Sequence, residues 1–181
     1  MSNRLSKLLN SFECHISLPW NPNISAEERA IFVVYHKEDE LKLRARMPEF
    51  EYTATSSGHS WYLLDVTHSF AEWMAGQDYK EAYFEDPEYL ESNYGYFAEE
   101  LAEKLKTEFR DRQDQNSVVA LMGCGALFGF ASVSALVKEI AREVKGRLVV
   151  FFPGEYDENT YRLLDAKDGW GYQATAITVA Q

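Results

Sequence analysis

Residues 147–152, Arg147-Leu148-Val149-Val150-Phe151-Phe152, constrain this chain more than any other stretch. From Leu148 to Phe152 no polar residue interrupts the run, so a strand built from it must be buried on both faces, as in a parallel sheet covered by helices on each side. The run enters Pro153-Gly154, which reads as a break. It then meets carboxylates and aromatics that a plain turn would not require: Glu155-Tyr156, Tyr161-Arg162-Leu163-Leu164-Asp165 and Asp168-Gly169-Trp170-Gly171-Tyr172. This predicts a decorated edge at the carboxyl ends of the strands, where open α/β sheets bind their ligands.

The rest of the chain supplies partners for such a strand. Ile31 to Tyr35, Trp61 to Val66, Ser117 to Met122 and Ala174 to Val179 have strand length and apolar content, which with Leu148 to Phe152 makes about five strands. Between them lie helical patterns. Leu5, Leu8, Leu9, Phe12 and Ile16 share one face of a first helix that stops before Pro19. A charged helix is expected from about Lys37 to Met47, with Leu41, Leu43 and Met47 inward and Pro48 ending or restarting it. Thr67 can cap a short helix carrying Phe70, Trp73 and Met74, and Asp86-Pro87 can open another. Phe97, Leu101, Leu105 and Phe109 line a helix from about Tyr94 to Arg112. Val133, Leu136, Val137, Ile140 and Val144 line the next, with Gly146 ending it in the left-handed conformation. Strands alternating with helices predict one three-layer α/β domain over residues 1–181, its sheet mostly parallel.

Charge and cysteine usage narrow the partners. With 29 acidic against 18 basic residues the formal charge is −11, which repels a phosphate backbone, so direct nucleic-acid binding is disfavoured. No apolar run approaches the roughly 18 residues of a membrane span and the amino terminus is amphipathic rather than a secretory signal, so a cytoplasmic location is expected. Cys14 and Cys124 stand in no metal or redox spacing, and His15, His36, His59 and His68 are scattered, so no metal or other cofactor is expected.

Three segments carry candidate chemistry. Gly123-Cys124-Gly125-Ala126-Leu127-Phe128-Gly129 sits between a strand and a helix, where phosphate loops occur, but lacks the Lys-Ser/Thr of a nucleotide-triphosphate loop and has Phe128 where a dinucleotide fingerprint needs glycine. Its glycines serve either a nucleotide or close packing. Asp65, Glu155 and Asp168, with Asp157, Glu158 and Asp165, follow strand ends and could hold Mg²⁺ for phosphoryl-transfer or nuclease chemistry if they converged; otherwise they are solvated loops. No nucleophilic triad stands out, so no catalytic residue is assigned. The aromatic residues of the acidic Tyr79–Tyr96 segment and of the 153–172 edge suit either local packing or a protein contact surface. The candidate contact residues are Tyr79, Tyr83, Tyr89, Glu155, Tyr156, Tyr161, Asp168, Trp170 and Tyr172.

The chain also resembles the BrxB family of bacterial BREX phage-exclusion systems. The resemblance is carried by Phe12 to Trp20, Arg44-Ala45-Arg46-Met47-Pro48-Glu49-Phe50-Glu51, Gly58-His59, Trp61 to Asp65, Glu81-Ala82-Tyr83-Phe84, Ala126 to Phe130 and, most specifically, the block from Phe151 to Tyr172. It implies membership of a multi-protein assembly that distinguishes self DNA by methylation and blocks phage replication, with other subunits similar to a methyltransferase, a large ATPase and the alkaline-phosphatase-like PglZ. Within it, the resemblance implies an accessory or adaptor that binds another subunit, the PglZ-like one, and it carries over no catalytic residues; with no catalytic constellation in the sequence, the adaptor is expected to be non-enzymatic.

Overall fold

The structure, a computed structural model, describes residues 3–179, so the first two and last two residues of the expected 1–181 domain lie outside the described residues. Five strands, β1 (Ala30–Tyr35), β2 (Ser60–Asp65), β3 (Ser117–Met122), β4 (Arg147–Asp157) and, after a hairpin, β7 (Thr175–Ile177), pair in parallel in the order β2-β3-β4-β1-β7. The short β5 (Thr160–Leu163) and β6 (Trp170–Gly171) extend β4 antiparallel. The mostly parallel α/β sheet read from the sequence is therefore the observed one.

Strand periodicity divides the core cleanly. Ala30, Phe32 and Val34 of β1, Val119 and Leu121 of β3, and Leu148, Val150 and Phe152 of β4 point to one face. Ile31, Val33 and Tyr35, Val118 and Ala120, and Val149 and Phe151 point to the other. The second face is covered by α1 (Asn3–Ile16) and α3 (Met47–Ser56), through Leu8, Phe12 and Ile16 against Phe50 and Ala54. The first is covered by α7 (Tyr94–Phe109) and α8 (Val133–Glu143), through Phe97, Leu101, Leu105 and Phe109 and through Leu136, Val137 and Ile140. Each such side chain, once fully buried, contributes about 1.5–3 kcal/mol.

Handedness decides which helix covers which face. From β1 the chain crosses three places to β2 and then returns one place at a time to β3 and β4. Right-handed crossovers in opposite directions must lie on opposite faces, which puts α2 (Glu40–Ala45) and α3 on one side and α7 and α8 on the other. The last crossover, β4 to β7, runs in the returning direction and has no helix. The β5–β6 hairpin takes its place, burying Tyr161, Leu163 and Tyr172 on the α7–α8 face.

Several local expectations change in the fold. Leu41 is 80% exposed, because the Lys37–Met47 stretch is not one helix: a 3-10 turn at Lys37–Asp39 precedes α2, and α3 restarts at Met47 with Pro48 in its first turn, so Leu43, Met47 and Phe50 turn inward instead. Thr67 does not cap α4 (Ser69–Ala75), since its hydroxyl is taken by Asp65 and Arg44. Asp86 gives α6 (Glu88–Glu91) only a backbone carbonyl, which accepts from Tyr89. The α7 helix stops at Phe109 rather than Arg112. Gly146 is not left-handed: α8 ends with Val144 in extended conformation, and a Cβ at Gly146 would fall far inside contact distance of the Ser117 carbonyl oxygen. Nor does Pro153-Gly154 break the strand. β4 continues through it to Asp157, and Gly154 is needed because the Arg162 backbone passes too close for any Cβ.

The amino-terminal edge of the sheet is closed by stacking. The Trp20 ring lies 3.7 Å from the His59 ring, and the Arg147 guanidinium sits 4.9 Å from the Trp20 centroid, fastening the connection after α1 to β4. Among the described residues, no helix is long and apolar enough to cross a membrane.

Two outcomes follow from these contacts. Gly146→Ala should cost about 1–3 kcal/mol in urea denaturation, since backbone must move, whereas Gly95→Ala in the open first turn of α7 should be neutral or stabilise by up to about 1 kcal/mol. His15 is held below its ordinary pKa, first by burial and then by Arg147. Its neutral form is the folded one, so stability is full above the unfolded pKa of about 6.5 and lost as pH falls through the folded value. The thermal midpoint should accordingly drop less on acidification in His15→Gln than in the parent chain.

Candidate functional site

Open α/β sheets usually bind ligands at the carboxyl ends of their strands, where neighbouring connections depart to opposite faces. Here that position lies beside the end of β1, whose chain leaves towards α2 while β2 and β3 send theirs towards the α7–α8 face. The side chains gathered there bind one another. The Tyr35 hydroxyl donates to Glu40, Arg44 Nε donates to Glu40 Oε1 at 2.7 Å, and Arg44 reaches Thr67 Oγ1 at 2.5 Å and Asp65 Oδ2 at 3.5 Å. Thr67 in turn donates to Asp65 through both its hydroxyl and its backbone N–H. One guanidinium thus ties α2 to the loop after β2.

Gly123 closes this crevice. It has φ +87°, and a Cβ on it would lie 2.5 Å from Thr67 Oγ1 and 2.9 Å from Asp65 Oδ1. The following Cys124–Leu127 segment is a 3-10 turn in which the Ala126 amide donates to Gly123, and beyond it Phe128 donates back to Gly125 and Phe130 and Ala131 to Leu127. The amino end of α8 begins later, at Val133, and is capped by the Ser132 side chain accepting from Ala135 N–H. Gly123 therefore serves close packing, whereas Gly125 has only ordinary contacts with Leu164 and Pro153, and Gly129 has a left-handed φ of +83° with open space where a Cβ would stand. Burial, followed by the Glu40 carboxylate, pushes the Cys124 thiol up to about 12, so it stays protonated and packs as an apolar group. Burial and the Glu40 hydrogen bond likewise raise the Tyr35 phenol far beyond its ordinary range.

The structure distributes the remaining candidates over separate places. Asp65 is engaged with Thr67 and Arg44; Glu155 lies exposed on the β4 extension opposite Arg162; Asp168 is exposed in the loop before β6. Among the described residues, no group of three or more His, Cys, Asp or Glu is arranged to hold a metal ion.

The aromatic residues of the 153–172 edge come together, but inward. Tyr161 is fully buried, 4.4 Å from Phe32 and 5.4 Å from Trp170 between ring centroids, and Tyr172 is buried 5.7 Å from Phe32. Trp170 is half-buried among Phe32, Phe152 and Tyr161. Burial pushes the Tyr172 phenol up to about 12 and that of Tyr161 higher still. Tyr156 is half-buried against Tyr161 and donates its hydroxyl to Asn159 Oδ1 at 2.9 Å, steadying a hairpin turn in which Glu158 and Asn159 are both left-handed. These rings hold the last crossover in place.

The acidic segment behaves differently. Tyr79 is 73% exposed, Phe84 71%, Tyr89 65% and Tyr96 63%, with Tyr83 half-buried. No residue of α5 (Lys80–Glu85) is buried, and α6 buries only Leu90. From Asp78 to Glu103 the chain carries nine acidic residues and one lysine. Large rings with polar tips, exposed amid carboxylates, form the kind of surface that protein interfaces bury.

The Arg44 network escaped sequence reasoning. Its members lie far apart in the chain, and the one signal was an arginine inside an otherwise ordinary helix pattern, Arg44-Ala45-Arg46-Met47-Pro48.

Against known families, the model described as BREX protein BrxB matches residues 71–177. That span holds the acidic aromatic segment, α7, α8 and the β4–β5 hairpin. No curated protein and no solved structure matches the chain.

Arg44→Ala should lower stability by about 1–2 kcal/mol, and Arg44→Lys should recover little of it because one ammonium cannot span Glu40, Thr67 and Asp65. Equal denaturation midpoints for Arg44→Lys and the parent chain would contradict this account.

Proposed function

Because this chain belongs to the BrxB family, and so is a component of a BREX phage-defence system, we propose that it works there as a non-enzymatic adaptor that binds another subunit in the cytoplasm. The observation that carries this reading is the exposed, acidic, aromatic surface of α5 and α6, a stretch of helix that contributes almost nothing to the core. Exposed Tyr and Phe side chains cost solubility unless a partner covers them, and they supply much of the energy when one does. The carboxyl edge of the sheet supports the same reading, because its polar groups are already bonded to each other and the Gly123 backbone fills the crevice.

Tyr79, Tyr83 and Tyr89, with Phe84, form the centre of the contact in this proposal. Of the hairpin residues, Glu155 and Asp168 offer side chains to a partner directly; Tyr156 and Trp170 offer one edge, and Tyr161 and Tyr172 support them from beneath. The negative charge favours a partner with basic patches, which it would attract over distance at low salt. The PglZ-like subunit is the partner proposed on the strength of the family resemblance.

Co-purification from cells expressing the whole system tests the proposal. The parent chain should bring a BREX subunit with it, while the triple variant Tyr79→Ser, Phe84→Ser, Tyr89→Ser should come alone. Since all three positions are exposed, each change should alter stability by no more than about 0.5 kcal/mol. Recovery of the parent chain by itself at moderate salt would refute the adaptor role.

A further inference from the structure

A furrow of about 390 Å³ runs between α7 and α8, on the side of these helices that faces away from the sheet. Its origin is in the side chains. Ala98 and Ala102 stand one turn apart on α7, and opposite them stand Ala131, just before α8, and Ala135, in its first turn. Residues this small cannot fill the space between two helices that are held apart by Leu101 and Leu136 beneath, and a half-open, mostly apolar trough remains. Lys106 closes one end. Its side chain is only 9% exposed, with Nζ 2.5 Å from Glu103 and 3.7 Å from Glu139.

The charges on the rim are uneven. At the Lys106 end, Glu139 also binds Arg142 at 2.7 Å, and Arg110 lies 3.8 Å from Glu103, so acid and base balance. At the other end, Glu99 pairs with no cation among the described residues, and one helical turn further lies the exposed ring of Tyr96. Lys106 holds the Glu103 carboxyl below its ordinary range, so the pairing that closes this end persists well below neutral pH. The trough is thus apolar along its floor and negative at its open end, with the exposed ring of Tyr96 next along α7.

We propose that the α7–α8 furrow is a docking site for a cationic amphipathic helix of a partner protein. A helix laid in such a trough presents apolar residues at three- and four-residue spacing to the alanine- and leucine-lined floor, with Lys or Arg beside Glu99. The α7 helix, at 16 residues, is about 24 Å long and can support several turns of a partner. A small polar ligand fits less well, because Lys106, the cation reaching the floor, is already bonded to two carboxylates. The inference rests on the adaptor reading for the existence of a partner, and it adds where part of that partner sits and what chemistry it has.

The probe is a fluorescein-labelled peptide of about 18 residues, helical, with Ala and Leu on one face and Lys on the other. Its controls are the same peptide with Glu for Lys and a scrambled sequence of equal charge. Fluorescence anisotropy with the full chain should show binding of the Lys peptide that weakens as salt rises, with the scrambled and Glu peptides at least about tenfold weaker. Ala135→Trp, at an exposed position, should fill the trough and reduce binding about tenfold, and Glu99→Lys should reduce it several-fold. Thermal denaturation of both variants should match the parent. Absence of binding, equal binding of the scrambled peptide, or full binding by a folded Ala135→Trp would overturn the proposal. The same variants in the co-purification separate the two readings: if the parent retains its partner and Ala135→Trp retains it equally, the furrow is not the docking site although the adaptor role stands. If the parent retains none, the adaptor role itself fails.

Discussion

The pairing of β1 with β4 governs the rest of the structure. Six consecutive positions, Ala30 with Leu148 through Tyr35 with Pro153, lie in parallel register, and every residue of β1 is buried. Two such strands side by side present apolar groups on both faces. Neither face can be left to water, so the chain must place helices above and below. Parallel pairing also forbids a tight turn, which obliges each connection to cross over the sheet and carry its cover with it. The three layers, the strand order and the replacement of the last helix by the β5–β6 hairpin all answer to this demand.

The same demand shapes the carboxyl edge. Loops arriving there from different faces bring Tyr35, Glu40, Arg44, Asp65 and Thr67 together, and these satisfy one another around a single guanidinium. Half-buried polar groups need partners, and these found them within the chain. Much of the chemistry that such an edge could offer is consumed in locking α2 to β2. Exposed rings, carboxylates and an alanine-lined furrow lie instead on the outer helices. That distribution is the ground on which the adaptor proposal stands.

The hairpin shows how close resemblance of residue type can hide opposite roles. Tyr79 and Tyr161 are both tyrosines in acidic surroundings, yet one is largely exposed and the other is fully buried. The difference lies in backbone pairing. Tyr161 is placed on β5 opposite Tyr156, so the pleat turns its ring onto Phe32, while Tyr79 precedes a helix that buries none of its residues. Likewise Pro153-Gly154 resembles a turn in isolation. Its glycine is there because a second strand passes close by, a fact carried by Arg162, eight residues further on.

Runs of apolar residues and their spacing were sufficient for the five parallel strands, though not for β5 and β6, for α1, α7 and α8, and for a parallel sheet covered on both faces, because burial of period-two and period-3.6 patterns is a local property of the chain. The acidic aromatic segment was legible for the same reason, being contiguous in sequence. Tertiary structure alone decided the inward turn of Tyr161 and Tyr172, the break that leaves Leu41 in solvent, the true purpose of Gly123 and Gly146, the Arg44 network and the α7–α8 furrow. Each of these depends on a distance between segments far apart in the chain, and such distances are set by packing, which no local pattern encodes.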